Sequence, residues 1–323
     1  MKSDTRIYVA GHRGLAGSAL VRRLRERGYR NVLTRTHAEL ELLERHAVHD
    51  FFRGERPEVV FLAAAKVGGI LANDTYPADF IQQNLAIQGN VIDEAFRSGV
   101  RDLLFLGSSC IYPRDCPQPI REEYLLTGPL EPTNRPYAIA KIAGVEMCWA
   151  YNRQHGTRYV CAMPTNLYGP GDNYDLQTSH VLPALIRKAH EAKLRGEDRL
   201  VVWGSGAPRR EFLYSDDMAD ACLAILEAPA AHFAAAPAKQ PPLVNIGCGT
   251  DVTIRELAEL VARAVGFAGR IAFDASKPDG TPRKLLDVSR VTGLGWSPRV
   301  PLQEGIEMAY RDFLLRQESR VAP

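Results

Sequence analysis

The sequence predicts an α/β protein built on a doubly wound parallel sheet, with a smaller, mixed α/β lobe after it. Short apolar runs alternate with amphipathic stretches through the first half of the chain. A glycine-rich turn follows the first apolar run, and the alternation loosens after Pro164. Strands that alternate with helices in this way form βαβ units and a parallel sheet.

The first half of the chain contains the regular part of this pattern. Its strands are apolar throughout, which is typical of strands buried on both faces of a sheet. Gly28, Gly99 and Gly156 follow three of the helices, at the position where glycine commonly ends a helix. The predicted strands are Ile7–Ala10, Asn31–Thr34, Glu58–Leu62, Asp102–Gly107 and Arg158–Met163, and the predicted helices are Leu15–Arg27, Leu42–Phe52, Pro77–Ser98 and Pro136–His155.

The second half is less regular, and we expect it to form the smaller lobe over the carboxyl edge of the sheet. Ser215 is expected to cap one helix, and Thr253 with Glu256 fits a capping box at another. Residues 228–240 are rich in alanine and proline and are expected to form a surface loop. The predicted elements here are the strand Arg199–Trp203 and the helices Val181–Arg195, Ser215–Glu227, Thr253–Val265 and Leu302–Leu315.

Composition excludes several classes of protein. The 323 residues are 46% hydrophobic and 24% charged, which is ordinary for a globular chain of about two domains. A net charge of +2 argues against a general nucleic-acid binder. The longest apolar run, Val59–Ala65, is far shorter than the ~20 residues that cross a membrane, and no signal-like segment begins the chain. The six cysteines lack metal-ligand spacing, so we expect a reduced cytoplasmic protein without a metal site.

The glycine-rich turn between the first strand and the first helix predicts a dinucleotide site. Its glycines allow the backbone to approach a pyrophosphate closely, and the helix N-terminus supplies N–H donors. A purely structural turn is the alternative, but the strand–turn–helix context favours binding. The expected contacts are Gly11, His12, Arg13, Gly14, Leu15, Ala16 and Gly17.

The end of the second strand favours NADP(H) over NAD(H). An NAD enzyme usually places an acidic residue there for the ribose 2′-hydroxyl, whereas residues 34–37 read Thr-Arg-Thr-His. Arg35 and Arg13 would neutralise a 2′-phosphate. The alternative is that Arg35 is a solvated surface charge.

Ser108, Tyr137 and Lys141 fit the reduction of a carbonyl group. Ser108 follows the fourth strand at the edge where parallel sheets bind ligands, and Tyr137 and Lys141 share one face of a helix. We expect the ammonium of Lys141 to lower the pKa of Tyr137, which then passes a proton to the carbonyl oxygen while Ser108 binds the same oxygen.

These features resemble the extended short-chain dehydrogenase/reductase superfamily, and longer segments resemble the GDP-L-fucose synthases within it. The segments are AAAKVGGI (63–70), GSSCIYP (107–113), EPTN (131–134), MPTNLYGP (163–170) and DASKPDG (274–280). The resemblance runs from about Ile7 to Phe313 and implies an NADPH-dependent enzyme. Such an enzyme inverts C3 and C5 of GDP-4-keto-6-deoxy-D-mannose and then reduces C4. It also implies an NADP-binding Rossmann domain over 1–164, joined by elements near 213–247, and a mainly substrate-binding domain over 165–323.

The resemblance also assigns residues. Cys110 and His180 would exchange the protons at C3 and C5, with Cys110 as base and His180 as acid, although the reverse assignment stays open. Without the resemblance, Cys110 would be a small buried hydrophobe and His180 a helix cap. The implied cofactor contacts beyond the glycine turn are Arg35, His37, Leu106, Gly107, Ser108, Ser109, Lys141, Pro164, Thr165, Asn166, Leu167 and His180.

The implied substrate contacts lie mostly in the second half of the chain. Lys188 and Arg210 would bind the diphosphate, Trp203 would offer a flat apolar surface, and the ordinary alternatives are solvated cations and a core tryptophan. His37 stands where the family often has a second arginine, which would weaken the preference for NADPH or make it depend on pH. The full implied set is Lys188, Trp203, Arg210, Asp279 and Lys284.

Two other functions fit parts of the pattern. A sugar-nucleotide 4-epimerase with bound NAD needs no additional acid/base pair, and a non-catalytic NADP-sensing module needs neither Tyr137 nor Lys141. The helix 136–155 is apolar on nearly all sides, which predicts that one face packs on the sheet and the other on a second copy of the chain. We therefore expect a homodimer.

Overall fold

The computed structural model describes residues 1–229, 241–277 and 279–321. Its strands are β1 (Ile7–Ala10), β2 (Val32–Leu33), β3 (Val59–Leu62), β4 (Asp102–Leu106), β5 (Arg158–Pro164), β6 (Asn166–Tyr168), β7 (Arg199–Trp203), β8 (Arg209–Arg210), β9 (Phe212–Tyr214), β10 (Leu243–Ile246), β11 (Val252–Thr253), β12 (Arg270–Asp274) and β13 (Arg283–Lys284). Its helices are α1 (Leu15–Glu26), α2 (Arg45–Glu55), α3 (Ile70–Thr75), α4 (Pro77–Arg97), α5 (Arg135–His155), α6 (Val181–Leu194), α7 (Ser215–Glu227), α8 (Ile254–Val265), α9 (Ser289–Gly293) and α10 (Leu302–Val321).

A six-stranded parallel sheet forms the centre of the structure, in the order β10-β5-β4-β3-β1-β2. The strands β1 and β3 are buried along their whole length, as their apolar sequences predict, and so is β10, which was not predicted from the sequence. One face packs on α1 and α7, through residues such as Leu20 and Met218. The other face packs on α2, α4 and α5, through residues such as Phe52 and Val145. The predicted doubly wound α/β class is therefore confirmed.

A separate hydrophobic core holds the smaller lobe together. It joins α6, α8 and α10 through residues such as Ile186, Val261 and Phe313. The short strands of this lobe form the pair β12-β7 and the three-stranded sheet β11-β8-β13. In that sheet Lys284 is paired in register with Arg210, which brings two of the predicted substrate residues side by side.

One predicted helix start and one predicted helix cap are wrong, and hydrogen bonds from another helix explain the first of these. The second helix begins at Arg45 rather than Leu42, because the side chain of Asn90 binds the carbonyl oxygens of Leu42 and Leu43 at 2.9 and 3.1 Å. Ser215 is not a cap: β9 stays extended through Tyr214, so Ser215 is already the first helical residue.

Other differences concern the second half of the chain. The capping box of Thr253 and Glu256 is present, as predicted. The last helix extends to Val321 instead of ending at Leu315. Most of the loop predicted over 228–240 lies outside the described residues. The sequence did not predict the helices α3 and α9, the strands β10 and β12, or the shorter strands β6, β8, β9, β11 and β13.

Candidate active site

A cleft of about 620 Å³ opens at the carboxyl edge of the sheet. Every residue predicted to bind the cofactor or to act in catalysis lines it, from the glycine turn to His180. Of the predicted substrate residues, Lys284 also lines this cleft, whereas Arg210 faces a smaller neighbouring cavity of about 290 Å³. Within the described ranges, no group of His, Cys, Asp and Glu side chains is arranged to hold a metal ion.

The glycine turn packs too closely for any larger residue at two positions. Gly11 has a φ of +83°, and a Cβ atom there would lie 2.8 Å from the backbone of Ala64. A Cβ atom on Gly17 would lie 2.1 Å from the carbonyl oxygen of Gly11. The turn leads directly into α1, whose first turn has no acidic residue. The exposed N-terminus of this helix is therefore suited to an anion.

Arg35 lies in the wall of the cleft and is already partly neutralised. Its guanidinium forms an ion pair with Glu55, donates to the carbonyl oxygen of Thr34 at 2.8 Å, and lies 5.4 Å from the ring of Phe51. His37 is almost fully exposed and contacts a carboxylate oxygen of Glu41 at 2.8 Å. Arg35 thus has a fixed position, whereas His37 lies at the surface.

Lys141 is buried behind the reaction site. Its ammonium donates to the carbonyl oxygen of Leu106 at 2.8 Å and lies 4.6 Å from the ring of Phe105. Burial lowers the pKa of Lys141 to about 7. The ammonium lies 5.9 Å from the ring centre of Tyr137.

The expectation that Lys141 lowers the pKa of Tyr137 is wrong for this arrangement. Burial raises the pKa of Tyr137 well above its usual value, the nearby Cys110 adds to the rise, and a hydrogen bond with Ser108 opposes it. Because the ammonium is held by Leu106, it does not reverse the effect of burial. Tyr137 is consequently a neutral phenol at neutral pH, which is the form that can donate a proton.

Cys110 is surrounded by hydrogen-bond donors. The amide nitrogen Nδ2 of Asn134 lies 3.2 Å from its sulfur, and the ammonium nitrogen of Lys284 lies 3.6 Å from it. The backbone N–H of Cys110 donates to the hydroxyl of Ser108 at 3.3 Å, so the two side chains share one short turn.

His180 precedes α6 and lines the same cleft. Its side chain makes no capping hydrogen bond, so the simpler interpretation as a helix cap does not hold. The ring keeps solvent-accessible surface in the cleft, but the surrounding protein and the Lys284 ammonium lower its pKa.

The remaining predicted substrate residues are Lys188, Trp203, Asp279 and Arg210, and they make contacts with one another or with Cys110. Trp203 is 58% exposed, which rules out a core position, and the ammonium of Lys188 lies 4.8 Å from its ring centre. Asp279 accepts hydrogen bonds from the backbone N–H and the hydroxyl of Ser205, at 2.9 and 2.6 Å. Burial lowers the pKa of Arg210, while Cys110 and Asp279 oppose this change.

Three contacts of this site were not predicted from the sequence. Glu55 pairs with Arg35, Asn134 binds Cys110, and Lys284, predicted as a nucleotide contact, lies beside the Cys110 sulfur. The segment EPTN, which ends three residues before Tyr137, was the signal that could have identified Asn134.

Comparisons with known proteins agree with this geometry. The family model described as the NAD dependent epimerase/dehydratase family matches residues 7–247. The chain is 55% identical to GDP-L-fucose synthase from Escherichia coli (strain K12), over 98% of both chains. It is 57% identical to GDP-L-fucose synthase 1 from Arabidopsis thaliana, over 96% of this chain and 94% of that one.

Solved structures are also similar. A GDP-L-fucose synthetase from Naegleria fowleri bound to NADP superposes with a TM-score of 0.87 at 26% identity, over 99% of this chain and 97% of that chain. That structure contains bound NADP.

Proposed function

This chain belongs to the NAD dependent epimerase/dehydratase family and, within it, to the GDP-L-fucose synthases, and from this premise we infer its reaction. It converts GDP-4-keto-6-deoxy-D-mannose to GDP-L-fucose by 3,5-epimerisation and NADPH-dependent 4-reduction. The observation that carries this conclusion is that Ser108, Tyr137, Cys110 and His180 all line one cleft. We assign Ser108 and Tyr137 to the reduction and Cys110 and His180 to the epimerisation.

NADP(H) is the cofactor, and the residues of the cleft fit it. The glycine turn and the N-terminus of α1 suit a pyrophosphate, and the cation Arg35 follows β2 where an NAD enzyme usually has an acidic residue. Arg35 and Arg13 would hold the 2′-phosphate. When bound, NADPH supplies the hydride that reduces C4.

Tyr137 acts in the reduction as the proton donor. Its raised pKa keeps the phenol protonated, so it can deliver a proton to the C4 oxygen as negative charge develops there. Ser108 donates a hydrogen bond to the same oxygen. Lys141, whose pKa lies near 7, is suited to return a proton to Tyr137 after each reaction.

Cys110 and His180 carry out the epimerisation. The Cys110 thiolate removes the proton from C3 or C5, which leaves the electron pair of the C–H bond in an enolate with the C4 carbonyl and forms a thiol. His180 then returns a proton to the opposite face of the carbon. The Lys284 ammonium, 3.6 Å from the sulfur, favours this direction because a positive charge stabilises the thiolate.

The nucleotide end of the substrate lies along the surface from Arg210 to Trp203. Arg210 and Lys188 bind the diphosphate, Trp203 provides an apolar face for the base, and Asp279 accepts a hydrogen bond from a ribose hydroxyl. Exposure of Trp203 and the nearby cation of Lys188 support this assignment.

A homodimer is the proposed assembly. The helices α4 and α5 pack on each other at one side of the sheet and still leave apolar side chains exposed, including Leu85 at 39% and Ile139 at 38%. A second copy would cover this face by the same two helices. Light scattering should give twice the mass of 35.8 kDa at micromolar concentration, and a stable monomer would contradict the proposal.

The proposed compartment is the cytoplasm. A thiol at Cys110 must stay reduced to act as a base, and the cysteines are free in this structure.

Two domains are proposed to bind the cofactor and the substrate separately. Residues 1–164, with elements near 213–247, hold the cofactor, and residues 165–323 mainly hold the substrate. The described part of the chain has no helix that is both long and apolar enough to cross a membrane.

One assay separates this function from a 4-epimerase with bound NAD. The proposed enzyme consumes one NADPH for each molecule of GDP-4-keto-6-deoxy-D-mannose, whereas a 4-epimerase has no net consumption of cofactor. Stoichiometric loss of NADPH absorbance together with GDP-L-fucose as product supports the proposal. Turnover of the sugar without loss of NADPH would refute it.

A further inference from the structure

Asn134 is the N-cap residue immediately before α5, but its side chain does not cap the helix. An asparagine at the N-cap normally accepts a hydrogen bond from a backbone N–H of the first turn. Here the side chain makes no capping hydrogen bond, and its amide oxygen is buried with no partner. A buried polar atom without a partner is unfavourable for folding, so the position calls for another explanation.

The amide of Asn134 is directed at Cys110 instead. Its Nδ2 donates to the sulfur at 3.2 Å, and the Lys284 ammonium approaches the same sulfur at 3.6 Å. Two N–H donors on one sulfur match a thiolate, which accepts hydrogen bonds more strongly than a thiol does.

We propose that Asn134 is a positioning residue for epimerisation: its amide holds the Cys110 sulfur in the cleft and stabilises it as the thiolate base. The proposal rests on the proposed function, because it takes Cys110 as the base. Because its amide contacts Cys110, Asn134 makes no capping hydrogen bond to the first turn of α5.

The charged and titratable groups around Cys110 come from several elements. Tyr137 on α5 and Arg210 on β8 interact with it electrostatically, and Lys284 on β13 contacts it. His180, before α6, is influenced by the same Lys284. Asn134 is uncharged in every state, so replacing it changes the support of the sulfur without removing any of these groups.

Asn134→Asp is the sharpest test. An ionised aspartate keeps the shape and is a good N-cap, so α5 should stay folded, but it cannot donate to the sulfur and its charge repels a thiolate. The pH of half-maximal alkylation of Cys110 by iodoacetamide, measured with NADPH present, should rise by about one to two units. Asn134→Ala, which removes the donor without adding charge, should raise it by about one unit.

The alkylation can be followed at Cys110 alone. Trypsin releases residues 102–114 as a peptide in which Cys110 is the single cysteine, so mass spectrometry reports this thiol separately from Cys116. Deuterium exchange into C3 and C5 at neutral pH should fall about tenfold in Asn134→Ala and more in Asn134→Asp. Asn152→Ala is the matched control, because the side chain of this asparagine on the same helix bonds to Thr157 and to the backbone of Tyr159, away from Cys110.

The outcomes distinguish the proposed role of Asn134 from the proposed role of Cys110 as the base. A raised alkylation pH in both Asn134 variants, with the unfolding midpoint of Asn134→Asp preserved, supports the proposal. Unchanged alkylation and exchange in the Asn134 variants, while Cys110→Ala abolishes exchange, overturns the role of Asn134 alone. Wild-type exchange in Cys110→Ala would instead overturn the proposed base. Equal effects in Asn152→Ala would show a general loss of packing and would also overturn the proposal.

Discussion

Replacing Arg35 with alanine should weaken NADPH far more than NADH. The Arg35 guanidinium is fixed by Glu55 and by the carbonyl of Thr34, so the remaining N–H groups can each bind a phosphate oxygen without first being ordered. A charge-assisted hydrogen bond contributes about 1.5–3 kcal/mol. Since Arg35 is about a third exposed and shares its charge with Glu55, we expect the lower end of this range.

In kinetic terms this is about a tenfold loss of kcat/KM for NADPH, with NADH changed by less than about twofold. The assay is the initial rate of cofactor oxidation at saturating GDP-sugar, with each cofactor varied in turn. Arg97→Ala, which removes an exposed arginine that pairs with Asp93, serves as the control. Equal losses with both cofactors, or none with either, would refute the role of Arg35.

Three further changes test other parts of the site. Tyr137→Phe should lower the rate of reduction by about 10²–10⁴-fold while proton exchange at C3 and C5 survives, and wild-type NADPH oxidation would remove Tyr137 from the mechanism. Lys141 has a pKa of about 7 in the fold and about 10.4 when unfolded, so unfolding takes up a proton between these values and the stability of the wild type rises with pH. Lys141→Met should therefore lose a slope of up to about 1.4 kcal/mol per pH unit in urea unfolding above pH 7, and equal slopes in the two proteins would contradict the lowered pKa of Lys141. Trp203→Ala should raise KM for the GDP-sugar with little change in KM for NADPH, and a matching rise in both would show that Trp203 supports the fold instead.

Five of the six strands of the central sheet were predicted from the sequence, because buried parallel strands have a simple local signature, whereas β10 was not predicted. Each strand of the first half was located to within two residues, and Gly156 ends α5 in a left-handed conformation, as its type suggests. The start of α2 was missed because Asn90, on another helix, binds the carbonyls that would have continued it. Contacts between residues far apart in the chain leave no pattern in the local sequence.

The residues of the candidate site were predicted from the sequence, but their contacts and pKa values were predicted less well. The resemblance to a known family identified Cys110 and Lys284, but the two lie 174 positions apart, and their contact depends on how the lobes fold together. The pKa of Tyr137 could not be inferred from the spacing to Lys141, because burial of both side chains decides it. The contact of Asn134 with Cys110 was not predicted either, because the absence of a capping hydrogen bond at Asn134 can be recognised only in the folded structure.

The separation of epimerisation from reduction is the central claim, and Cys110→Ser tests it most directly. A serine hydroxyl is a much weaker acid than a thiol and cannot exchange the protons at C3 and C5, whereas Ser108, Tyr137 and Lys141 remain in place to support hydride transfer. In deuterated water the wild type should incorporate deuterium at both carbons. The variant should incorporate little and should still oxidise NADPH slowly, forming a GDP-6-deoxyhexose that is not inverted at both centres. Full deuterium incorporation and pure GDP-L-fucose from Cys110→Ser would contradict the account.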